Sequence, residues 1–242
     1  MIALLRVFAV VIFAIVMFVF GCGYCLLSPR NPKHVYTFGR LFGKMSRVFG
    51  IKLELRIPKD AYSRGQYVYI ANHQNSWDLF TISAAVTPKV VTVGKKSLAY
   101  LPLFGQLYWL TGNILIDRAN RTKAVGTIDQ VVNKMKNSDV SIWMFPEGTR
   151  SRGRGLLPFK TGAFHVAIGA GVDIVPIVCS STEGVKLNRW NNGHVIVEML
   201  PPVSTQGCRK EQVREIANVC REQMASKIKQ LNDEVKELNK IH

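Results

Sequence analysis

His73 and Asp78 stand with four residues between them in Asn72-His73-Gln74-Asn75-Ser76-Trp77-Asp78, and the pair could do acid–base chemistry. A carboxylate that accepts from one imidazole nitrogen leaves the other free to take a proton. No nucleophile stands beside them in the sequence, so the pair reads as a base with its orienting partner. A loop histidine next to a helix-capping aspartate has the same spacing, and the spacing alone does not separate the two readings.

The elements around the pair suit a site. Tyr67 to Ala71 is short, β-branched and aromatic, the pattern of a buried strand. Trp77 to Ala85 has apolar residues at helical spacing, with Asn75 or Ser76 as N-cap, which predicts a helix. Further strands are predicted at Lys52–Ile57, Val90–Val93, Ile114–Ile116, Ser141–Phe145, Ile174–Val178 and His194–Met199. Helices are predicted at Arg121–Lys136, Gly162–Ala170 and Lys210–Leu238, the last with one apolar stripe that docks most simply on the domain. Such alternation argues for an α/β layer fold with a mixed, largely buried sheet flanked by helices. Pro176 inside its strand suggests an edge or a strand entry.

Three later clusters follow predicted strands, where α/β folds build their sites. Gly112 to Arg118 ends in Asp117-Arg118, and Phe145 to Ser151 carries Glu147, Gly148, Thr149 and Arg150. Guanidinium forks match phosphate oxygens two at a time, which makes Arg118 and Arg150 the informative members. Surface ion pairs within each cluster are the plainer alternative. Lys95, Lys96, Arg152, Arg154 and Lys160 add positive charge, but neither Gly94-Lys95-Lys96-Ser97 nor Lys160-Thr161-Gly162 has phosphate-loop spacing. The nucleophile elbow of the α/β-hydrolases is absent as well.

The 242 residues fit one core, and Lys plus Arg exceed Asp plus Glu by 32 to 16. That charge attracts nucleic acid, anionic lipid or phosphorylated substrates. Nucleic-acid signatures are missing, and Val7 to Pro29 is uncharged and long enough for a membrane-anchoring helix. Arg30, Lys33, Arg40, Lys44 and Arg47 outnumber Arg6, which places the following domain on the cytoplasmic side. Phe38 to Phe49 is amphipathic and suits either a membrane surface or the domain core. Residues 1–50 thus read as membrane-anchoring helices and 51–242 as a catalytic domain. The five scattered cysteines read as reduced thiols, and neither they nor the histidines suggest a metal site.

Taken in order, Asn72 to Asp78, Gly112 to Arg118, Phe145 to Ser151 and Val175-Pro176-Ile177 resemble the motifs of the bacterial glycerolipid acyltransferases, the 1-acyl-sn-glycerol-3-phosphate acyltransferases. The resemblance runs from about Ser28 to the last helix and is strengthened by FGQLYWLTGN, WMFPEGTRSRGRGLLPFKTGAFH and VIVEMLPP. Leu115 departs from it, standing where many members have an aromatic residue. The resemblance implies that His73 and Asp78 are catalytic. It also implies that Arg118, Glu147, Gly148 and Arg150, with Thr149 and Lys160 beside them, bind the acceptor. The implied donor is acyl-CoA or acyl-carrier protein and the implied acceptor lysophosphatidic acid, with no cofactor, no metal and no nucleic acid. The implied place is the cytoplasmic face of a cell inner membrane. A thioesterase in which His73 activates water, and a non-catalytic membrane adaptor, are the competing classes.

Overall fold

The computed structural model describes residues 1–62, 65–117 and 121–240. Seven strands form one sheet: β1 (Ile51–Arg56), β2 (Val68–Ala71), β3 (Val90–Lys95), β4 (Ile114–Ile116), β5 (Ser141–Met144), β6 (Ile174–Cys179) and β7 (Gly193–Met199). Their order is β1-β7-β6-β2-β5-β3-β4. The pairs β6/β2, β2/β5, β5/β3 and β3/β4 are parallel, whereas β6/β7 is antiparallel and β7/β1 parallel. The sheet is therefore mixed, and each predicted strand lies within two residues of an observed one. Every residue of β2 and of β6 is buried, as strands covered on both faces require.

Helices α4 (Arg121–Asn137), α5 (Gly162–Ala170) and α6 (Val213–Lys240) flank the sheet. Helix α6 docks through Val213, Ile216, Ala217, Cys220, Met224 and Leu231, the stripe expected to face the domain. An ion pair from Glu234 to Arg56 of β1 fastens its far end.

Three features depart from the sequence reading. The helix expected over Trp77–Ala85 is two 3₁₀ turns, Ser76–Leu79 and Ile82–Ala85. Thr81 Oγ1 donates to the Trp77 carbonyl at 3.0 Å, a local alternative that hydroxyl side chains offer the backbone. Helix α3 (Phe104–Leu110) was not expected; it starts after Leu103 at φ +65 and has no side-chain cap to announce it. Pro176 sits inside a central strand, not at an edge. Its carbonyl accepts from Leu200 on the β7 side, where the β7 ladder begins only at Ile177, so its missing N–H interrupts no pair.

Helix α1 (Ile2–Leu27) and helix α2 (Lys33–Lys44) pack on this frame. The amphipathic α2 turns His34, Val35, Phe38, Gly39 and Gly43 inward, so its apolar stripe faces the domain. A Cβ at Gly39 would lie 2.6 Å from the Ser83 carbonyl oxygen, and one at Gly43 would lie 2.4 Å from Ala84 Cβ. Only glycine allows that approach. Helix α1 buries Arg6, Met17, Gly21 and Cys25, while Leu5, Phe8, Ile12, Ile15, Val19 and Phe20 remain exposed on the other side.

Arg6 was expected to be a flanking charge, yet it is buried. Its guanidinium donates to the carbonyls of Val48 (2.9 Å), Leu187 (2.9 Å) and Trp190 (3.0 Å), and also contacts those of Lys186 and Arg189. Truncation leaves these acceptors short of donors. Arg6→Ala is expected to lower the unfolding free energy by about 2–5 kcal/mol, read as a fall in Tm together with new proteolysis between Lys186 and Trp190.

Candidate active site

The parallel strands β6, β2 and β5 lie side by side, and the chain leaving their C-terminal ends builds the site. His73 follows β2, Glu147 follows β5, and Ser180 to Thr182 follow β6.

Asp78 Oδ2 lies 2.6 Å from His73 Nδ1 and accepts from the backbone N–H of Gln74 (2.8 Å) and Asn75 (3.3 Å). Asn75 Oδ1 caps the following 3₁₀ turn by accepting from Trp77 N. An ionised carboxylate only accepts, so the neutral imidazole carries its proton on Nδ1 and its lone pair on Nε2. Nε2 makes no hydrogen bond to a described residue, so no described hydroxyl or thiol occupies the nucleophile's place beside it. The ring stacks on Phe145 with centroids 4.1 Å apart and 21° between planes, which fixes the direction of Nε2. Asp78 is 5% exposed and its side chain is thereby fixed as well.

Side-chain amides hold this loop to the end of β6. Asn72 donates to the Cys179 carbonyl (3.0 Å) and accepts from Cys179 N (2.8 Å), extending the β2–β6 pairing past the strands. Gln74 donates to the Ser180 carbonyl at 2.8 Å, and Asn75 Nδ2 donates to Thr182 Oγ1 at 2.9 Å. Sequence reasoning missed these three residues as positioning groups. The signal was the run of carboxamides around His73, directly after an all-apolar strand.

Glu147 departs from the expectation that it meets the acceptor. It is 3% exposed, with Oε1 accepting from His73 N at 2.6 Å and Oε2 from Leu157 N at 2.9 Å. Burial pushes its carboxyl above the usual carboxylate range, and the two N–H bonds pull the other way. Each oxygen is engaged by a backbone amide and the side chain is buried, so Glu147 braces the His73 backbone. Glu147→Ala leaves two buried donors unmatched and is expected to cost about 2–6 kcal/mol in denaturant unfolding. Glu147→Gln, which retains one acceptor, costs less.

The loop after Glu147 runs beside the His73 segment, with Ser151 N donating to the His73 carbonyl (2.8 Å) and Arg152 N to that of Gln74 (2.9 Å). Thr149, Arg150 and Lys160 are exposed, and Arg150 Nη1 lies 3.4 Å from Ser76 Oγ. Gly148 has φ +69, and the space where a side chain would start is filled by the Lys160 chain, 2.9 Å from an added Cβ. Asp117 lies at the end of β4, and Arg118 falls outside the described residues. The structure thus brings together His73, Asp78, Glu147, Gly148, Arg150 and Lys160. Among the described residues no cluster of three or more His, Cys, Asp or Glu side chains could hold a metal ion.

The acyltransferase family model matches residues 52–180, just over half of the chain, including His73, Asp78, Glu147 and Arg150. The 1-acyl-sn-glycerol-3-phosphate acyltransferase of Escherichia coli is 60% identical over 98% of this chain and 97% of its own. The chain belongs to the 1-acyl-sn-glycerol-3-phosphate acyltransferase family. The Haemophilus influenzae acyltransferase of that name is 50% identical over 97% of this chain and 98% of its own. The crystal structure of the 1-acyl-sn-glycerophosphate acyltransferase of Thermotoga maritima, 24% identical, superimposes with a TM-score of 0.66 over 98% of this chain and 95% of that one. At that identity the likeness concerns the acyltransferase fold. The acyltransferase family assignment therefore rests on the sequence relatives, and the local geometry on this chain's own residues.

Proposed function

We propose that this acyltransferase moves a fatty acyl chain from a thioester to the sn-2 hydroxyl of 1-acyl-sn-glycerol-3-phosphate, giving phosphatidic acid, with His73 as general base. The 2.6 Å contact between His73 Nδ1 and Asp78, with Nε2 left open, carries this reading. Nε2 takes the hydroxyl proton as the oxygen attacks the thioester carbonyl. The C–S bond then breaks, and the imidazolium returns the proton to the departing thiolate. A thioester is already activated, so no acyl-enzyme is needed. General-base help is worth about 10²–10⁴-fold, and positioning adds to it.

Arg150 and Arg118 hold the acceptor phosphate, with Lys160 and Thr149 at the margin of the same surface. The grip of Arg150 exists before and during the reaction. Arg150→Ala is therefore expected to raise the acceptor KM by about 10–100-fold with little change in kcat. Initial rates at varied lysophosphatidate measure both.

The donor is acyl-CoA or acyl-carrier protein. Contact with the membrane runs along α1, whose outward face is apolar. Arg6 near its start and Gly21 and Cys25 near its end all bury against the rest of the chain. A helix held at both ends lies along the domain, which favours α1 within one leaflet; the basic residues that follow it favour the cytoplasmic face of the inner membrane. Membranes given labelled acyl thioester with lysophosphatidate, and separately with other lysolipids, test the reaction. Labelled phosphatidate formed only with the first acceptor is the expected result, and free fatty acid released without any acceptor would contradict it.

A further inference from the structure

The turn that ends α1 holds a group of cations with no part in the proposed reaction. Arg30 adopts φ +60, a left-handed conformation uncommon outside glycine. Its backbone is pinned there. Arg30 N donates to the Leu110 carbonyl at 2.9 Å, and Gly112 packs so closely that an added Cβ would lie 2.8 Å from the Arg30 carbonyl oxygen. The guanidinium lies over the Trp109 ring, 5.2 Å from its centroid. Lys134 of α4 completes the arrangement by donating to the Gly112 carbonyl at 3.2 Å. Together with Gln130 and the apolar floor of Leu115 and Val131, these residues line a cavity of about 290 Å³ at the free edge of β4.

Two positive groups thus face one space, and no carboxylate is among the described residues that line it. Among the described residues neither forms an ion pair with a carboxylate. Burial and then the charge of Arg30 push the Lys134 ammonium below its usual range. Like charges held together by a strained backbone favour a bound anion. The setting says where the anion comes from. Arg30 follows the last residue of α1 by three positions, and Trp109 is 51% exposed, as side chains at a lipid–water boundary are. Basic pockets at that level suit phospholipid headgroups, and the apolar face of α1 offers a path for the acyl chains.

We infer that this cavity binds the phosphate of an anionic phospholipid from the surrounding leaflet, at a site separate from that of the acceptor being acylated. Arg30 and Lys134 bond the chain at Leu110 and Gly112, before β4 begins, whereas the groups proposed for the acceptor follow the C-terminal ends of their strands, and β4 itself stands three strand spacings, about 14 Å, from β2. The inference concerns binding and stands whether or not His73 is the base.

Titrating the full-length protein in neutral detergent micelles tests it, with the Trp109 signal obtained as the emission difference between native protein and W109F. Phosphatidylglycerol is expected to give a saturable change, while phosphatidylcholine and inorganic phosphate give none over the same range. The Arg30→Gln/Lys134→Gln variant is expected to need about tenfold more phosphatidylglycerol or greater, with native kcat and lysophosphatidate KM in phosphatidylcholine micelles. A native Trp109 response that does not distinguish phosphatidylglycerol from phosphatidylcholine would overturn the inference without recourse to any charge variant. Saturation by inorganic phosphate at the lipid's concentration would overturn the lipid assignment. A variant that titrates as the native protein, or one whose lysophosphatidate KM rises tenfold, would overturn the site or its separateness.

Discussion

His73→Ala is expected to reduce turnover by about 10²–10⁴-fold, the contribution of general-base assistance, while lysophosphatidate still binds. The separation of the two effects follows from the geometry. His73 contributes its ring to the open side of the site, whereas the phosphate grip proposed for Arg150 lies on the adjacent loop, with Nη1 3.4 Å from Ser76 Oγ. The segment itself is held by groups that the substitution leaves in place: the backbone N–H of His73 to Glu147, its carbonyl to Ser151 N, and the amides of Asn72 and Gln74 to the end of β6. Equilibrium binding of labelled lysophosphatidate alongside rate measurements reads both. Turnover within a few-fold of native would remove His73 from the mechanism.

Asp78→Asn is expected to lower turnover by a similar 10²–10⁴-fold with a smaller change in acceptor KM. Asp78 Oδ2 faces three donors at once: the imidazole Nδ1 and the backbone N–H groups of Gln74 and Asn75. An asparagine that turns its NH₂ into that shared position meets the backbone donors head-on and favours the other tautomer of the ring. The ring then keeps its lone pair on Nδ1 and loses it on Nε2, where the acceptor proton must go. The negative charge that stabilises the imidazolium is also gone, in a site where Asp78 is 5% exposed and water screens little. Rates across pH, with Tm measured on the same samples, separate this from unfolding: lost turnover at a near-native Tm is the expected outcome.

Much of the framework was legible because strand formation here is local in its signals. Most strands are short apolar, β-branched runs, β1 instead alternates apolar with charged residues, and β2 and β6 are wholly buried, so pattern and position agree. The His73–Asp78 pair was legible for the same reason, since one short loop after one strand carries both partners. What the sequence hid depends on contacts between distant residues. Arg6 resembles any charge flanking an apolar helix until the carbonyls of residues 186–190 close around it. Glu147 lies in a motif rich in charge, and only the packed structure shows both its oxygens taken by backbone amides. The missed turn chemistry at Trp77–Ala85 is subtler: apolar spacing suggested a helix, while Thr81 and Ser83 bond back to the chain within it.

Direct transfer, with an oriented imidazole activating the acceptor alcohol and no acylated protein between donor and product, is the claim on which the account stands. A rapid-mixing time course with labelled acyl thioester tests it most directly, following label in protein, free acid and lipid before and after lysophosphatidate is added. The expected result is unreacted donor until the acceptor arrives, then label moving straight into phosphatidate. Label accumulating on the protein in the absence of acceptor, and passing from it to lipid on addition, would contradict the account.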